Sequence, residues 1–211
     1  MDFIKKPMDI ENRSMEIIAP YIKDFHLDEK TSKVYSRIIH AAGDVEYAPI
    51  IRVSATAIDS AINALKSGAD IFTDVEMVRT GINKRKLAAF GGEVHCLISA
   101  PEAVAMAKEQ GITRAMASMR LFGKKLNGSI IAIGNAPTAL FEVLRMVREE
   151  NLRPACIIGI PVGFVGAADS KQELAANDII PYITVAGTKG GSPIAAAAVN
   201  AIMYFIDNNR G

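Results

Sequence analysis

His40 sits in RIIHAAGD, residues 37 to 44, flanked by two isoleucines and two alanines and three positions before a glycine. It is one of three histidines in a chain without tryptophan. Imidazole titrates close to neutrality when unperturbed, so the chemistry it offers here is proton transfer. Asp28 can cap a helix that runs through Val34, Ile38 and Ala41 and stops at Gly43. His40 then falls in the last turn, where the negative end of the helix dipole suits a cationic ring. One turn back lie Ser36 and Arg37 rather than the isoleucines, so the ring emerges on the polar side. Two roles stay open for it, a catalytic acid and a surface residue that stabilises a helix end.

Anion-binding chemistry is suggested by two loops. IGNAPT (133 to 138) and AGTKGGSP (186 to 193) each lead from an apolar run through glycine into a helix start. Such loops offer unpaired backbone N–H groups and a positive dipole end to phosphates or carboxylates. Asn135, Lys189, Gly190 and Gly191 are the ligand candidates in them, and ordinary tight turns are the alternative. Neither loop matches GxGxxG or the GK[ST] ending of a Walker loop, which disfavours dinucleotides and nucleoside triphosphates. A third loop, GIPVGFVGAADSK (159 to 171), sets glycines among apolar residues and ends in Asp169, Ser170 and Lys171. It would suit a large flat ligand or a packed strand-to-helix crossing. In TDVEMVRTGI (73 to 82), Asp74 and Glu76 could bind metal or move protons, with Asp74 as a helix N-cap the simpler outcome. No metal cluster emerges, because His95 and Cys96 are adjacent on a strand and point to opposite faces.

Five apolar segments must position these residues: DIFTD (70 to 74), EVHCLI (93 to 98), SIIAIG (129 to 134), ACIIGI (155 to 160) and YITVAG (182 to 187). Each is followed by a segment with helical character. Strands apolar on both faces, joined by long helical connections, predict an α/β doubly wound sheet of five parallel strands. PTALFEVLRMVREEN opens with a proline suited to a first helical turn and carries Leu140, Leu144 and Val147 at helical spacing. SPIAAAAVNAIMYFIDNN opens with a serine cap and proline, and its Ala195 to Ala198 face allows close packing. Nothing divides residues 1–211 into separate domains, and only an amino-terminal helical pair, residues 9–42, stands apart.

Lysine and arginine total 24 against 23 acids, a net charge of +1, so no electrostatic footprint for nucleic acid or anionic membrane is expected. Cys96 and Cys156 read as buried free thiols in a reducing compartment. The longest apolar run, Ile194 to Ile206, is broken by Asn200 and falls short of the ~20 residues of a membrane span. The start, MDFIKKPMDI, lacks the apolar run of a signal peptide. A soluble, cytoplasmic protein is expected.

Taken in order, IENRSMEII, RIIHAAGD, TDVEMVRTGI, TRAMASM, AIGNAPTALFEVL, GIPVGFVGAADSK and GTKGGSPIAAAAVNA resemble the precorrin-8X methylmutase family in its cobalt-precorrin-8 methylmutase form. The resemblance spans nearly the whole chain, and IGNAPTAL and PVGFVGAA are its most specific strings. It implies a three-layer α/β/α, flavodoxin-like fold and a homodimer with active sites near the subunit interface. The implied activity is that of an isomerase of cobalamin biosynthesis. A methyl group moves from C-11 to C-12 of precorrin-8 or its cobalt form, giving hydrogenobyrinate or cobyrinate, with no cofactor and no protein-bound metal. The family's catalytic histidine corresponds to His40, which would protonate the macrocycle at ring C. The corrinoid is large, partly flat and fringed with carboxylates, and the glycine-flanked loops suit both features. Arg114, which opens TRAMASM after Thr113, matches the family motif and could meet a carboxylate; a helix-start surface charge is the other role. Ser14 matches a family serine, with Met15 where phenylalanine is usual, and Arg13, Asp74, Asn135, Lys171 and Lys189 are further ligand candidates. Two other classes fit the same fold: a flavin- or phosphate-binding oxidoreductase and a non-catalytic corrinoid carrier.

Overall fold

The apolar runs form strands of three or four residues, and the segments between them form helices. The computed structural model describes residues 4–208. Residues 1–3 and 209–211, the two ends of the expected domain and the expected end of the last helix at Asn209, lie outside the described residues. Two helices come first, α1 (Pro7–Ile22) and α2 (Glu29–Ala42), the expected amino-terminal pair. A 3-10 turn over Val45–Ile50 leads to β1 (Ile51–Val53) and then α3 (Ala57–Lys66). After β2 (Ile71–Thr73) come α4 (Glu76–Gly81) and α5 (Lys84–Ala88); after β3 (Val94–Cys96) come α6 (Pro101–Gln110) and α7 (Arg114–Phe122). The remaining elements are β4 (Ile130–Ile133), α8 (Pro137–Glu149), β5 (Cys156–Gly159), α9 (Ala167–Ala176), β6 (Tyr182–Val185) and α10 (Ser192–Asn208).

The sheet has six strands in the order β1-β6-β5-β4-β2-β3, so the expected five-stranded, all-parallel sheet is corrected. The five expected strands are present and mutually parallel. The sixth, β1, pairs antiparallel with β6 through Ile51↔Val185, Arg52↔Thr184 and Val53↔Ile183. Three residues with an exposed arginine in the middle carry too little apolar pattern to be read as a strand. Its pairing with β6 makes it one. Leaving β1 aside, the parallel strands follow the 2-1-3-4-5 order of flavodoxin-like doubly wound sheets.

Helices cover both faces, which is why the central strands β4 and β5 are apolar and buried throughout. Ile130, Ala132, Ile158, Ile183 and Val185 pack with residues of α2, α3 and α10. The alternate residues Phe72, Ile131, Ile133 and Ile157 pack with α7 and α8 on the opposite side. Close approach of α10 to its neighbours depends on small residues, as expected. Ala195 and Ala198 are fully buried, and a Cβ on Gly81 of α4 would lie 2.8 Å from the Ala196 Cβ. Both cysteines are free; Cys156 is buried, whereas Cys96, on the edge strand β3, is only partly so. No helix among the described residues is long and apolar enough to cross a membrane.

Candidate functional site

The loops singled out by sequence meet at the carboxyl ends of the parallel strands. Chain order reverses between β2 and β4: β3 lies outward of β2 on one side, and β4, β5 and β6 follow on the other. A crevice at such a switch point is where doubly wound sheets hold ligands.

Asp74 organises the loops at this switch point. It follows β2 directly, is fully buried, and accepts hydrogen bonds from the amides of Gly134 (3.0 Å), Asn135 (2.8 Å) and Ala136 (2.7 Å) after β4. Burial pushes its carboxyl above the usual carboxylate range, against the three amides that pull it down. The expected N-cap role is corrected. Val75 occupies the cap position of α4 without a side-chain cap bond, and Asp74 instead organises the neighbouring loop. Nor does Asp74 pair with Glu76, whose carboxylate accepts from Arg79 Nε at 2.6 Å. A ligand would meet Asp74 through the loop it holds, on which the Asn135 side chain is exposed.

Two further loops are fastened backbone to backbone. Gly191 N–H donates to the Ile160 carbonyl at 2.9 Å, and Gly163 N–H to the Thr188 carbonyl at 3.2 Å. Gly190 has φ 150°, and a Cβ there would lie 2.6 Å from the Ile160 carbonyl oxygen, so only glycine permits this contact. Between Gly163 and Gly166, Phe164 and Val165 stand 95% and 90% exposed. Apolar side chains held out in this way form an open wall.

Lys171, in the first half of α9, lies beneath these loops. It is 1% exposed, its Nζ donates to the Lys189 carbonyl, and burial pushes its ammonium down to about 8. Its charge therefore supports the loop rather than facing the crevice. The Lys189 ammonium is also engaged, donating to Asp44 Oδ2 (2.6 Å) and Glu46 Oε2 (2.8 Å) above the Tyr47 ring. Those carboxylates, Asp44 first, hold it above the ordinary lysine range.

This contact brings the end of α2 to the loops. As expected, the Asp28 side chain caps α2 through Thr31 N–H, and Gly43 ends it with φ 62°. His40 lies in the last turn and is exposed, four residues before Asp44. Arg114, the first residue of α7, is also exposed; Thr113 before it caps α7 and bonds through its hydroxyl to Thr138 of α8 at 2.9 Å, placing Arg114 beside the loop after β4. Sequence reasoning missed Asp44, Glu46 and Tyr47 as partners of this site, although Asp44 directly follows the recognised helix stop.

Arg13 and Ser14 make their side-chain contacts inside α1 rather than with these loops. Ser14 Oγ donates to Ile10 O within α1 at 2.8 Å, and Arg13 pairs with Glu16. A cavity of about 690 Å3 along the β3 edge, lined by Phe72, His95 and Phe122 among others, touches the loop cluster through Glu76 and Arg79 after β2. Another of about 550 Å3 borders it, lined by Arg52, Lys171, Thr184 and Gly187 among others. Among the described residues no group of three or more His, Cys, Asp or Glu is arranged to hold a metal ion.

A family model described as precorrin-8X methylmutase matches residues 9–205. The chain is 40% identical to the cobalt-precorrin-8 methylmutase of Methanocaldococcus jannaschii, covering 98% of this chain and 97% of that protein. It is 43% identical to the precorrin-8X methylmutase of a Sinorhizobium species, over 95% and 96%. The precorrin-8X methylmutase structure from Thermus thermophilus superposes with a TM-score of 0.87 at 35% identity, over 95% of this chain and 97% of that one.

Proposed function

Because the chain belongs to the precorrin-8X methylmutase family and is an isomerase of cobalamin biosynthesis, we propose that it moves a methyl group from C-11 to C-12 of precorrin-8 or its cobalt form. His40 is the acid. It protonates the macrocycle at ring C, the added positive charge lowers the barrier to methyl migration, and the proton is released once the methyl group is on C-12. Substrate and product are isomers, so the proton returns to the enzyme and no co-reactant is consumed.

The observation that carries this reading is the clustering of the family loops and the His40 helix end at one end of the sheet, joined by the Lys189 contacts. Exposed Phe164 and Val165 supply an apolar wall, while exposed Arg114 and Asn135 meet substrate carboxylates; the Gly191 amide, expected as a receptor, already donates to the Ile160 carbonyl. Asp74, Lys171 and Lys189 support the loops from below and behind.

We extend the proposal to the whole chain, acting as one methylmutase domain and as a homodimer. Ile10, Ile17 and Tyr21 are 47%, 52% and 52% exposed and share a face of α1 with Ser14 by helical spacing. A partner covering that face brings Ser14 and Arg13 into the subunit interface.

The decisive measurement is single-turnover conversion of precorrin-8, metal-free and cobalt-loaded, followed by its visible spectrum. A carrier leaves the chromophore unchanged; the enzyme converts it. His40→Ala is expected to slow conversion by roughly 100- to 10,000-fold while product binding persists. A folded His40→Ala protein that turns over at the parent rate removes the acid role.

A further inference from the structure

We propose that Asp44 is a positioning residue which, through Lys189, fixes the His40 end of α2 against the substrate loops. The proposal rests on the reading of His40 as the acid.

Asp44 is held on both carboxylate oxygens. Oδ1 accepts from Glu46 N–H at 2.9 Å, and Oδ2 accepts from Lys189 Nζ at 2.6 Å. Its backbone is tied to the end of α2, because Asp44 N–H reaches the Ile39 carbonyl and Gly43 N–H the His40 carbonyl at 3.2 Å. The orientation of this carboxylate thus follows the turn that carries His40.

On the other side, Lys189 has little freedom. Its carbonyl accepts from Lys171 Nζ, and the following residues are locked to the loop after β5 by the Gly191–Ile160 bond and the close approach of Gly190. Glu46 and the Tyr47 ring complete the surroundings of its ammonium. The contact spans 145 positions of sequence and bridges the helical layer to the crevice.

Its energetics separate positioning from stability. The Lys189 and Asp44 side chains are 39% and 33% exposed, and ion pairs in such solvent contact contribute little to folding. The same pair ties the end of α2 to a backbone that is fastened to the loop after β5 and to α9. Displacement of a reacting group by about 1 Å can cost on the order of 100-fold in rate.

The same geometry distinguishes positioning from substrate binding by Lys189. If Lys189 were a carboxylate receptor, Lys189→Met would weaken binding and Asp44→Asn, which leaves the ammonium to Glu46 alone, would not. If the pair positions His40, both variants lower the single-turnover rate by the same factor and leave affinity alone.

The test compares Asp44→Asn, Lys189→Met and their double variant with the parent protein. Single-turnover conversion of precorrin-8 and binding of its corrin product are both read from the visible spectrum, with melting temperature as a control. Expected are rate losses on the order of 100-fold in each single variant, no further loss in the double variant, and product affinity within about twofold of the parent. Parent-like rates in Asp44→Asn, or a loss confined to affinity in Lys189→Met, overturn the proposal. His40→Ala is measured alongside. Parent-like turnover there removes the acid role itself, whereas an inactive His40→Ala beside an active Asp44→Asn removes only the positioning role.

Discussion

Asp74 and Arg114 are both ionisable and both adjoin the loop after β4, yet their burial gives them opposite surroundings. Asp74 serves three loop amides and is fully buried, so Asp74→Ala leaves those donors without their acceptor. A loss of about 3 kcal/mol is expected, measured by urea denaturation, together with weaker corrinoid binding as the loop relaxes. Arg114 opens α7, where a cation opposes the helix dipole. Removing it costs the fold nothing on that account. Arg114→Ala should therefore retain or slightly raise the melting temperature while weakening binding by roughly 1.5 to 3 kcal/mol, the worth of a charged hydrogen bond. Titration of the corrin product checks both signs, and unchanged affinity with lowered stability reverses the assignment. The Asp74 role is not visible in its sequence neighbourhood. TDVE reads as a helix start, and only the placement of β4 beside β2 reveals where the Asp74 oxygens go.

At the scale of elements, α9 carries the one group among these with a large downward shift. Lys171 has its ammonium lowered from 10.5 to about 8 by burial. Between those values the unfolded chain binds more protons than the folded one, so stability rises with pH through that window. Below about 8 both states are protonated and the full burial cost remains. The rise attributable to this lysine is at most about 3 kcal/mol, and Lys171→Met should abolish it. Denaturation of both proteins at pH 7, 8, 9 and 10 checks this, since the other lysines titrate in both. The elements themselves were largely legible: five strands fall within the apolar runs, and Asp28 and Gly43 bound α2 as their side-chain and backbone chemistry dictates. β1 was not, because an edge strand of three residues acquires its identity from its partner.

At the scale of the molecule, an exposed apolar face on α1 and a site that lacks Arg13 and Ser14 within one chain both favour two copies. Light scattering at micromolar concentration is expected to give about twice the 22.6 kDa chain mass. Ile17→Asp, at a position 52% exposed in the single chain, should shift the population toward monomer without a large change in the fold. A parent protein that is monomeric under these conditions counts against the dimer.

Local sequence sufficed for the layered α/β architecture, the helix carrying His40 and the glycine loops that follow the strands. Periodicity, capping residues and glycines are local consequences of backbone geometry and of which surfaces must leave water. Tertiary structure alone decided which groups those loops present. The Asp74 carboxylate is consumed by amides 60 to 62 positions away, the Lys171 ammonium by a carbonyl 18 away, and the Lys189 ammonium by carboxylates 143 and 145 away. A charged side chain in a loop reads as available for a ligand until the fold supplies a nearer partner. Hydrogen bonds and ion pairs act over a few ångströms in space, whatever the separation along the chain.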